Sequence, residues 1–213
     1  NIRFEKNTIT NYYGGGLYNN NAGAIFEQLS FYENTAASGG GLYTTVSISL
    51  DSAVFKGNKA TANGGGIVTT GGVLTLNNTV FEENTAGSNG GGIYSTGAVN
   101  AKKINLEGNK AASGGGIYNT KVFNVEDLLL KNNSATTYGG GIHHAGSTMT
   151  IERLSALSNT SALFGGAIYN AAIIKIDNAI FNRNSTTTAS TSAFGGGMYH
   201  ASGTSTLSNT TFS

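Results

Sequence analysis

The chain has 213 residues, of which 32 are glycine, and it contains neither proline nor cysteine. Its twelve basic and eleven acidic residues are scattered singly and give a formal net charge of +1, which argues against a nucleic-acid partner because no basic surface is available to neutralise phosphates. Disulfides and thiolate metal sites are excluded, and apolar residues at regular positions exclude a flexible linker.

The hydropathy of the chain and its first residue give expectations about membrane-spanning segments and about domain organisation. No apolar run approaches the roughly 18 residues of a membrane-spanning helix, so we expect no transmembrane segment in this chain. The chain begins at Asn1 rather than at a methionine. We therefore expect residues 1–213 to form a single repeat domain that is a segment of a longer chain.

A repeat of about 25 residues runs through the whole sequence and is marked by a glycine triplet, once Gly-Gly-Ala. The triplets begin at Gly14, Gly39, Gly64, Gly90, Gly114, Gly139, Gly165 and Gly195. This period is too short for a propeller blade, and the glycines argue against helical repeats because each costs about 1 kcal/mol against alanine inside a helix. The repeat predicts a solenoid in which each coil buries its apolar face against the next.

The first element of each coil is an apolar column with period-2 alternation, which predicts a strand. Its members are Phe4, Phe31, Phe55, Phe81, Leu106, Leu130, Ala156 and Phe181. An asparagine follows three residues later, at Asn7, Asn34, Asn58, Asn84, Asn109, Asn133, Asn159 and Asn184. We predict that these asparagines adopt the left-handed backbone conformation at a corner. We also predict that their side-chain amides stack as a buried structural ladder. The alternative is a row of polar ligands for a bound molecule.

The glycine triplet follows and is interpreted as backbone that must pack closely or adopt positive φ. A phosphate-binding loop is the alternative. It is disfavoured because the triplets recur in every coil and precede strands, whereas phosphate loops open onto a helix N-terminus.

A short strand after each triplet carries a core aliphatic residue, such as Leu17 or Ile93, and then a residue that alternation directs outward. The outward column reads Tyr18, Tyr43, Val68, Tyr94, Tyr118, His143, Tyr169 and Tyr199. Two interpretations remain open for its aromatic members, which we call the aromatic stripe. The rings form a contact surface for a protein or a glycan, or they stack on one another and stabilise the sheet.

A further strand, carrying pairs such as Leu74 and Leu76, completes each coil. The sequence therefore predicts an all-β fold, a right-handed parallel β-helix of about eight coils with three short strands per coil.

The remaining candidate sites are weak. His143 takes the place of a tyrosine in the stripe, and His144 and His200 occupy the next column, two coils and hence about 10 Å apart. That separation is too large for a shared metal, so we predict no metal site and no cofactor. Among the eleven acids only Glu82–Glu83 and Glu126–Asp127 are neighbours in sequence, and we predict no catalytic residues and no enzymatic activity.

The pairing of Phe-x-x-Asn with Gly-Gly-x-aliphatic motifs resembles the polymorphic outer-membrane proteins of chlamydiae and related bacterial β-helical surface proteins. Here the motifs read FEKN, FYEN, FKGN, FEEN and FNRN, with GGGLY, GGGIY, GGAIY and GGGMY. The resemblance covers essentially the whole chain. It implies a β-helical module similar to an autotransporter passenger, displayed outside the cell and adhering to a protein or glycan on a host or neighbouring cell.

A self-assembling subunit is the alternative function. Asn1-Ile2-Arg3-Phe4 aligns with Asn209-Thr210-Thr211-Phe212, so the chain starts and stops at nearly the same phase of the coil. Copies of the chain would then stack end to end into an extracellular filament. Ice binding is less favoured, because no regular Thr-x-Thr column recurs across the coils.

Overall fold

A computed structural model describes residues 2–188 and 193–213 of the chain, and Asn1 lies outside the described residues. Within these ranges the secondary structure consists of β-strands without any helix. All strand pairs are parallel. The strands form three sheets of eleven, eight and seven strands.

The eleven-stranded sheet contains both strands that the sequence predicts before each asparagine. In the early coils these two strands are separate, and from Val73–Glu82 onward they fuse into single strands of nine or ten residues. In four of these six strands a corner residue has a positive φ, as Asn78 does at 47°. The strands are Ile2–Glu5, Ala24–Glu27, Leu29–Tyr32, Ile48–Asp51, Val54–Lys56, Val73–Glu82, Ala98–Glu107, Phe123–Lys131, Thr148–Leu157, Ile173–Asn182 and Thr204–Phe212.

The eight-stranded sheet follows the glycine triplets, as the sequence predicts. Its strands are Leu17–Asn19, Leu42–Thr44, Ile67–Thr69, Ile93–Ser95, Ile117–Asn119, Ile142–His144, Ile168–Asn170 and Met198–His200. They stack in strict register, with Ile93 opposite Ile117 and Tyr94 opposite Tyr118. These eight levels are joined by seven complete turns of the chain, and the predicted parallel β-helix is confirmed.

The seven-stranded sheet lies directly after the asparagines and was not predicted from the sequence. Its strands are Thr35–Ala36, Lys59–Ala60, Thr85–Ala86, Lys110–Ser113, Ser134–Tyr138, Thr160–Ser161 and Ser185–Thr186. Small side chains such as Ala36, Ala86 and Ser161 are buried here. Each coil therefore has three sides, but two of the predicted strands share one side and the third side was overlooked.

The core is built from stacks of like residues along the axis. The rings of Phe4, Phe31, Phe55 and Phe81 stack face to face, with centroid distances of 4.5 to 4.9 Å. Leucine and alanine continue this column, and Phe181 resumes it against Phe212 at 4.6 Å. Because each ring is in register with the next, burial and ring stacking both stabilise the contact between coils.

The triplet Gly39–Gly41 shows that its three positions exclude a side chain for different reasons. Gly39 has a φ of 65°. A β-carbon on Gly40 would come within 2.5 Å of the carbonyl oxygens of Gly65 and Lys59. On Gly41 it would lie 2.8 Å from the ring of Phe55. The triplets are therefore packing elements, in agreement with the structural interpretation of the sequence.

Candidate functional site

The structure places the eight asparagines of the Phe-x-x-Asn motifs in one column, and the six inner ones are fully buried. Asn84 illustrates the pattern. Its Nδ2 donates to Oδ1 of Asn109 and to the carbonyl of Phe55, each at 2.9 Å. Its Oδ1 accepts from the backbone N and from Nδ2 of Asn58, at 3.0 and 2.9 Å. Each amide thus joins two neighbouring coils, and these side chains are occupied by the fold rather than open to a ligand.

The expectation that the ladder asparagines adopt the left-handed conformation is wrong. None of them has a positive φ. The residue immediately before takes that conformation, as at Glu33 (φ 52°), Glu83 (φ 55°) and Asn132 (φ 54°). The turn at this preceding residue directs the asparagine inward, where its amide accepts the N–H of the coil before it.

A second polar column lies inside the rod, immediately after the stripe position, and sequence reasoning did not place it there. Its hydroxyls bond the carbonyl two residues later, as Ser95 does to Gly97 at 2.6 Å and Thr44 to Val46 at 2.9 Å. These bonds close the turn between two sheets. The buried members of this column are Asn19, Thr44, Thr69, Ser95, Asn119, His144 and Asn170, and the column ends at His200, which is exposed.

His144 is part of this inner column. Its Nδ1 lies 3.2 Å from Nδ2 of Asn119, and its Nε2 lies 3.1 Å from the carbonyl of Ile173. We assign the neutral tautomer with the proton on Nε2, because it satisfies both contacts. Both ring nitrogens are therefore engaged by the fold, and burial lowers the pKa of His144. In the same column, Nδ1 of His200 lies 2.8 Å from the hydroxyl of Ser205.

The aromatic stripe is in register over all eight levels of its sheet. Its tyrosine rings stack on one another, with centroids 5.5 Å apart for Tyr18 and Tyr43 and 5.4 Å apart for Tyr94 and Tyr118. Val68 is only 1% exposed and separates these two pairs. The ring faces of each pair are directed at the neighbouring coil, so the ring edges remain for contact with solvent or a partner.

A second aromatic column runs beside the stripe at the residue before each glycine triplet. Tyr13 stacks on Tyr43 at 4.5 Å, and the rings of Tyr138, Phe164 and Phe194 form a stack at the other end of the rod. Sequence reasoning missed this column because its four middle positions are polar: Ser38, Asn63, Asn89 and Ser113. The aromatic surface is therefore two rings wide towards both ends and one ring wide in the middle.

His143 occupies the stripe where this surface is wide. The centroid of its ring lies 4.7 Å from those of Tyr118 and Tyr169, and 5.8 Å from that of Tyr138 in an edge-on contact. The side chain is 9% exposed, and its Nδ1 is buried without a hydrogen-bond partner. Burial, with a smaller contribution from His144, lowers the pKa of His143 to about 4. The imidazole is therefore neutral near pH 7.

Arg153 joins three carboxylates on the surface of the eleven-stranded sheet. Its guanidinium donates to Asp127 at 2.6 Å and to Glu126 at 2.8 Å, and it lies 3.4 Å from Glu152. The hydrogen bond from Arg153 lowers the pKa of Asp127. Hydrogen bonds from Lys102 and then Arg153 lower the pKa of Glu126.

Glu126, Glu152 and Asp177 occupy one outward position in successive coils, beside a groove of about 480 Å³. Inspection of sequence neighbours alone overlooked this column, because its members are one coil apart in the chain. A hydrogen bond from Ser208 lowers the pKa of Asp177. The resolved pKa shifts of Glu126, Asp127 and Asp177 are all downward, so none of these three groups resembles a general acid.

Among residues 2–188 and 193–213, no group of three or more histidine and carboxylate side chains is arranged to hold a metal ion. The same residues contain no helix that could span a membrane.

Comparison with known families tests the resemblance that was stated from the sequence motifs. A model of the Chlamydia polymorphic membrane protein repeat matches four segments, residues 28–45, 52–70, 78–96 and 127–145. In these four segments the chain matches the Chlamydia polymorphic membrane protein repeat. The resemblance predicted from the sequence is thereby confirmed. No curated protein and no solved structure matches the chain.

Each matched polymorphic membrane protein repeat spans the same structural parts of a coil. The segment 78–96 contains the core residue Phe81, the ladder residue Asn84, the triplet that begins at Gly90 and the stripe residue Tyr94. The segment 127–145 contains the equivalent set and includes His143. The repeat is thus a structural unit that carries one ladder position inside the rod and one stripe position outside it.

Proposed function

We propose that this chain is a non-enzymatic β-helical module of the cell surface, exposed to the exterior, that adheres to a protein through its aromatic stripe. The polymorphic membrane protein repeats support the surface association. The in-register column of tyrosines carries the adhesion proposal, because it is an outward feature that recurs in most coils.

The geometry of the stripe favours a protein partner over a glycan. A sugar ring packs against the face of an aromatic ring, but the faces of Tyr94 and Tyr118 are directed at each other along the axis. Their exposed edges offer C–H and hydroxyl groups on a rigid sheet, and tyrosine gives amphipathic contact area at low cost in conformational entropy. Over eight levels the stripe is about 34 Å long, which is sufficient for a contact of ordinary size.

The chemistry of the carboxylates supports a non-enzymatic role. Acid catalysis of glycoside cleavage requires a carboxyl group whose pKa is raised, beside a second that is ionised. Glu126 and Asp127 are instead held as anions by Arg153 and Lys102. The charged column therefore contributes ion pairs to the surface of the sheet.

Attachment of the purified chain to cultured host cells tests the proposal. The double variant Tyr94→Ser/Tyr118→Ser removes two stacked rings from the middle of the stripe, and we expect it to lose at least tenfold in cell binding while its circular dichroism stays that of a β-sheet protein. Tyr12→Ser is the matched control, because Tyr12 is 68% exposed and lies outside the stripe.

The alternatives predict different outcomes. Equal binding by the folded double variant and by the wild type would remove the stripe from the proposal. Binding that disappears after the cells are treated with glycosidase, but survives protease, would indicate a glycan. Binding only to immobilised copies of the same chain would replace adhesion by self-assembly.

A further inference from the structure

His143 is the one imidazole in a column otherwise made of tyrosine and valine. Its ring is enclosed by Tyr118 and Tyr169 from the neighbouring coils and by Tyr138 from its own coil. Tyr138 also stacks on Tyr169 at 5.0 Å and on Phe164 at 5.6 Å. His143 therefore lies at one of the places where the two aromatic columns meet.

The surrounding tyrosine rings offer a positive charge on this imidazole only cation–π attraction, and no carboxylate among the described residues acts on its pKa. The strand Ile142–His144 pairs with Ile117–Asn119 and Ile168–Asn170, whose only titratable side chains are Tyr118 and Tyr169. Tyr138, from Ser134–Tyr138, is the titratable group that faces the ring from the third sheet, and His144 on the same strand points into the rod. Among the described residues Nδ1 of His143 has no hydrogen-bond partner.

We propose that His143 is an acid-sensitive switch in the aromatic surface, which packs the rings of Tyr118, Tyr138 and Tyr169 when neutral and loosens them when protonated. A buried cation without a hydrogen-bonded partner is destabilising, and the local response is to open the ring cluster to water. In a solenoid each coil contacts only its neighbours, so the change begins in the coils on either side of His143. This inference does not depend on the proposed adhesion.

The direction of the pH effect follows from proton linkage. The unfolded chain binds the proton near pH 6.5, whereas the folded chain binds it only near pH 4. The stabilisation by neutral His143 is therefore complete above pH 6.5 and is lost as the pH falls from 6.5 to 4. At pH 4.5 this linkage raises the equilibrium constant for opening by roughly 70-fold relative to pH 7.5.

The chain supplies matched variants for the test. His143→Tyr restores the residue found at the same position in the neighbouring coils, and His200→Asn gives the inner column the residue of its own neighbouring coil. Urea unfolding at pH 7.5 and pH 4.5, followed by near-ultraviolet circular dichroism of the tyrosines, gives the stability difference for each protein. We expect the wild type and His200→Asn to lose clearly more stability on acidification than His143→Tyr, while His144 is present in all three proteins.

A direct titration covers the case in which a variant fails to fold. The imidazole signals of the wild-type chain, followed by nuclear magnetic resonance from pH 8 to pH 4, report His143 without any substitution. We expect its signal to stay that of the neutral ring at pH 5.5 and the tyrosine signals around it to broaden below that pH. Titration of His143 near pH 6.5 would overturn the switch. An equal loss of stability on acidification in the wild type and in His143→Tyr would also overturn it.

Discussion

Asn84 illustrates how a single side chain acts in this protein, because it makes four hydrogen bonds to two neighbouring coils through one amide. All of these bonds are buried, so their groups would otherwise lack partners. The repeating pattern in the sequence predicts this ladder, since an asparagine recurs once per coil at a fixed distance from a core residue.

Asn84→Ala tests the ladder. The substitution leaves the backbone N and Nδ2 of Asn58 and the carbonyl of Phe55 without these partners, and we expect a loss of about 3 kcal/mol or more in the free energy of unfolding. Denaturant titration measures the loss. Asn124→Ala is the control, because Asn124 lies on the surface, where its amide bonds Asn100, and its removal should cost less than about 0.5 kcal/mol. Equal effects of the two substitutions would contradict a stabilising ladder.

The backbone conformation beside the ladder could not be predicted from residue types. Glu33, Glu83 and Arg183 adopt positive φ although such residues rarely do so. The energy of stacking whole coils outweighs the local preference of one residue, which is at most 1–2 kcal/mol. His143 is similar, because the sequence gives its stripe neighbours Tyr118 and Tyr169 but not Tyr138, which contacts it from a third side.

The strands differ in how clearly their residue patterns predict them. Val73–Glu82 has four inward and six outward positions, alternating on each side of its corner at Asn78, and this corner caused it to be interpreted as two strands. Thr85–Ala86 has two residues, which is too short for any periodicity to be seen. Its existence depends on pairing with the strands of neighbouring coils and not on its own sequence.

The glycine triplets connect these strands, and Gly40→Ala tests the close packing proposed for them. The added methyl group would overlap the carbonyl oxygens of Gly65 and Lys59. We expect the free energy of unfolding to fall by about 3 kcal/mol, or the chain to fail to fold, and thermal unfolding measures this. Gly57→Asn is the control, because Asn132 occupies the equivalent corner in a later coil with a φ of 54°. Similar melting temperatures for the wild type and Gly40→Ala would show that the triplets are not needed for packing.

The whole molecule is a set of columns, and its properties follow from which residue each coil contributes to each column. The sequence predicted the columns of the core, the ladder and the stripe, because each repeats with the triplets. It did not predict features that appear only when neighbouring coils are compared, such as the carboxylate column of Glu126, Glu152 and Asp177, or the widening of the aromatic surface at Tyr138 and Phe164.

The register between coils supports every site described above, and paired cysteines test it most directly because the chain has no native cysteine. Asn100 and Asn124 face outward on adjacent strands, so their α-carbons lie about 4.8 Å apart, within the range that a disulfide spans. We predict that Asn100→Cys/Asn124→Cys forms an intramolecular disulfide under mild oxidation. Thr75→Cys/Asn124→Cys, two coils and about 9.6 Å apart, should not form one. Cross-linking of the second pair, or none in the first, would contradict the stacked register of the β-helix.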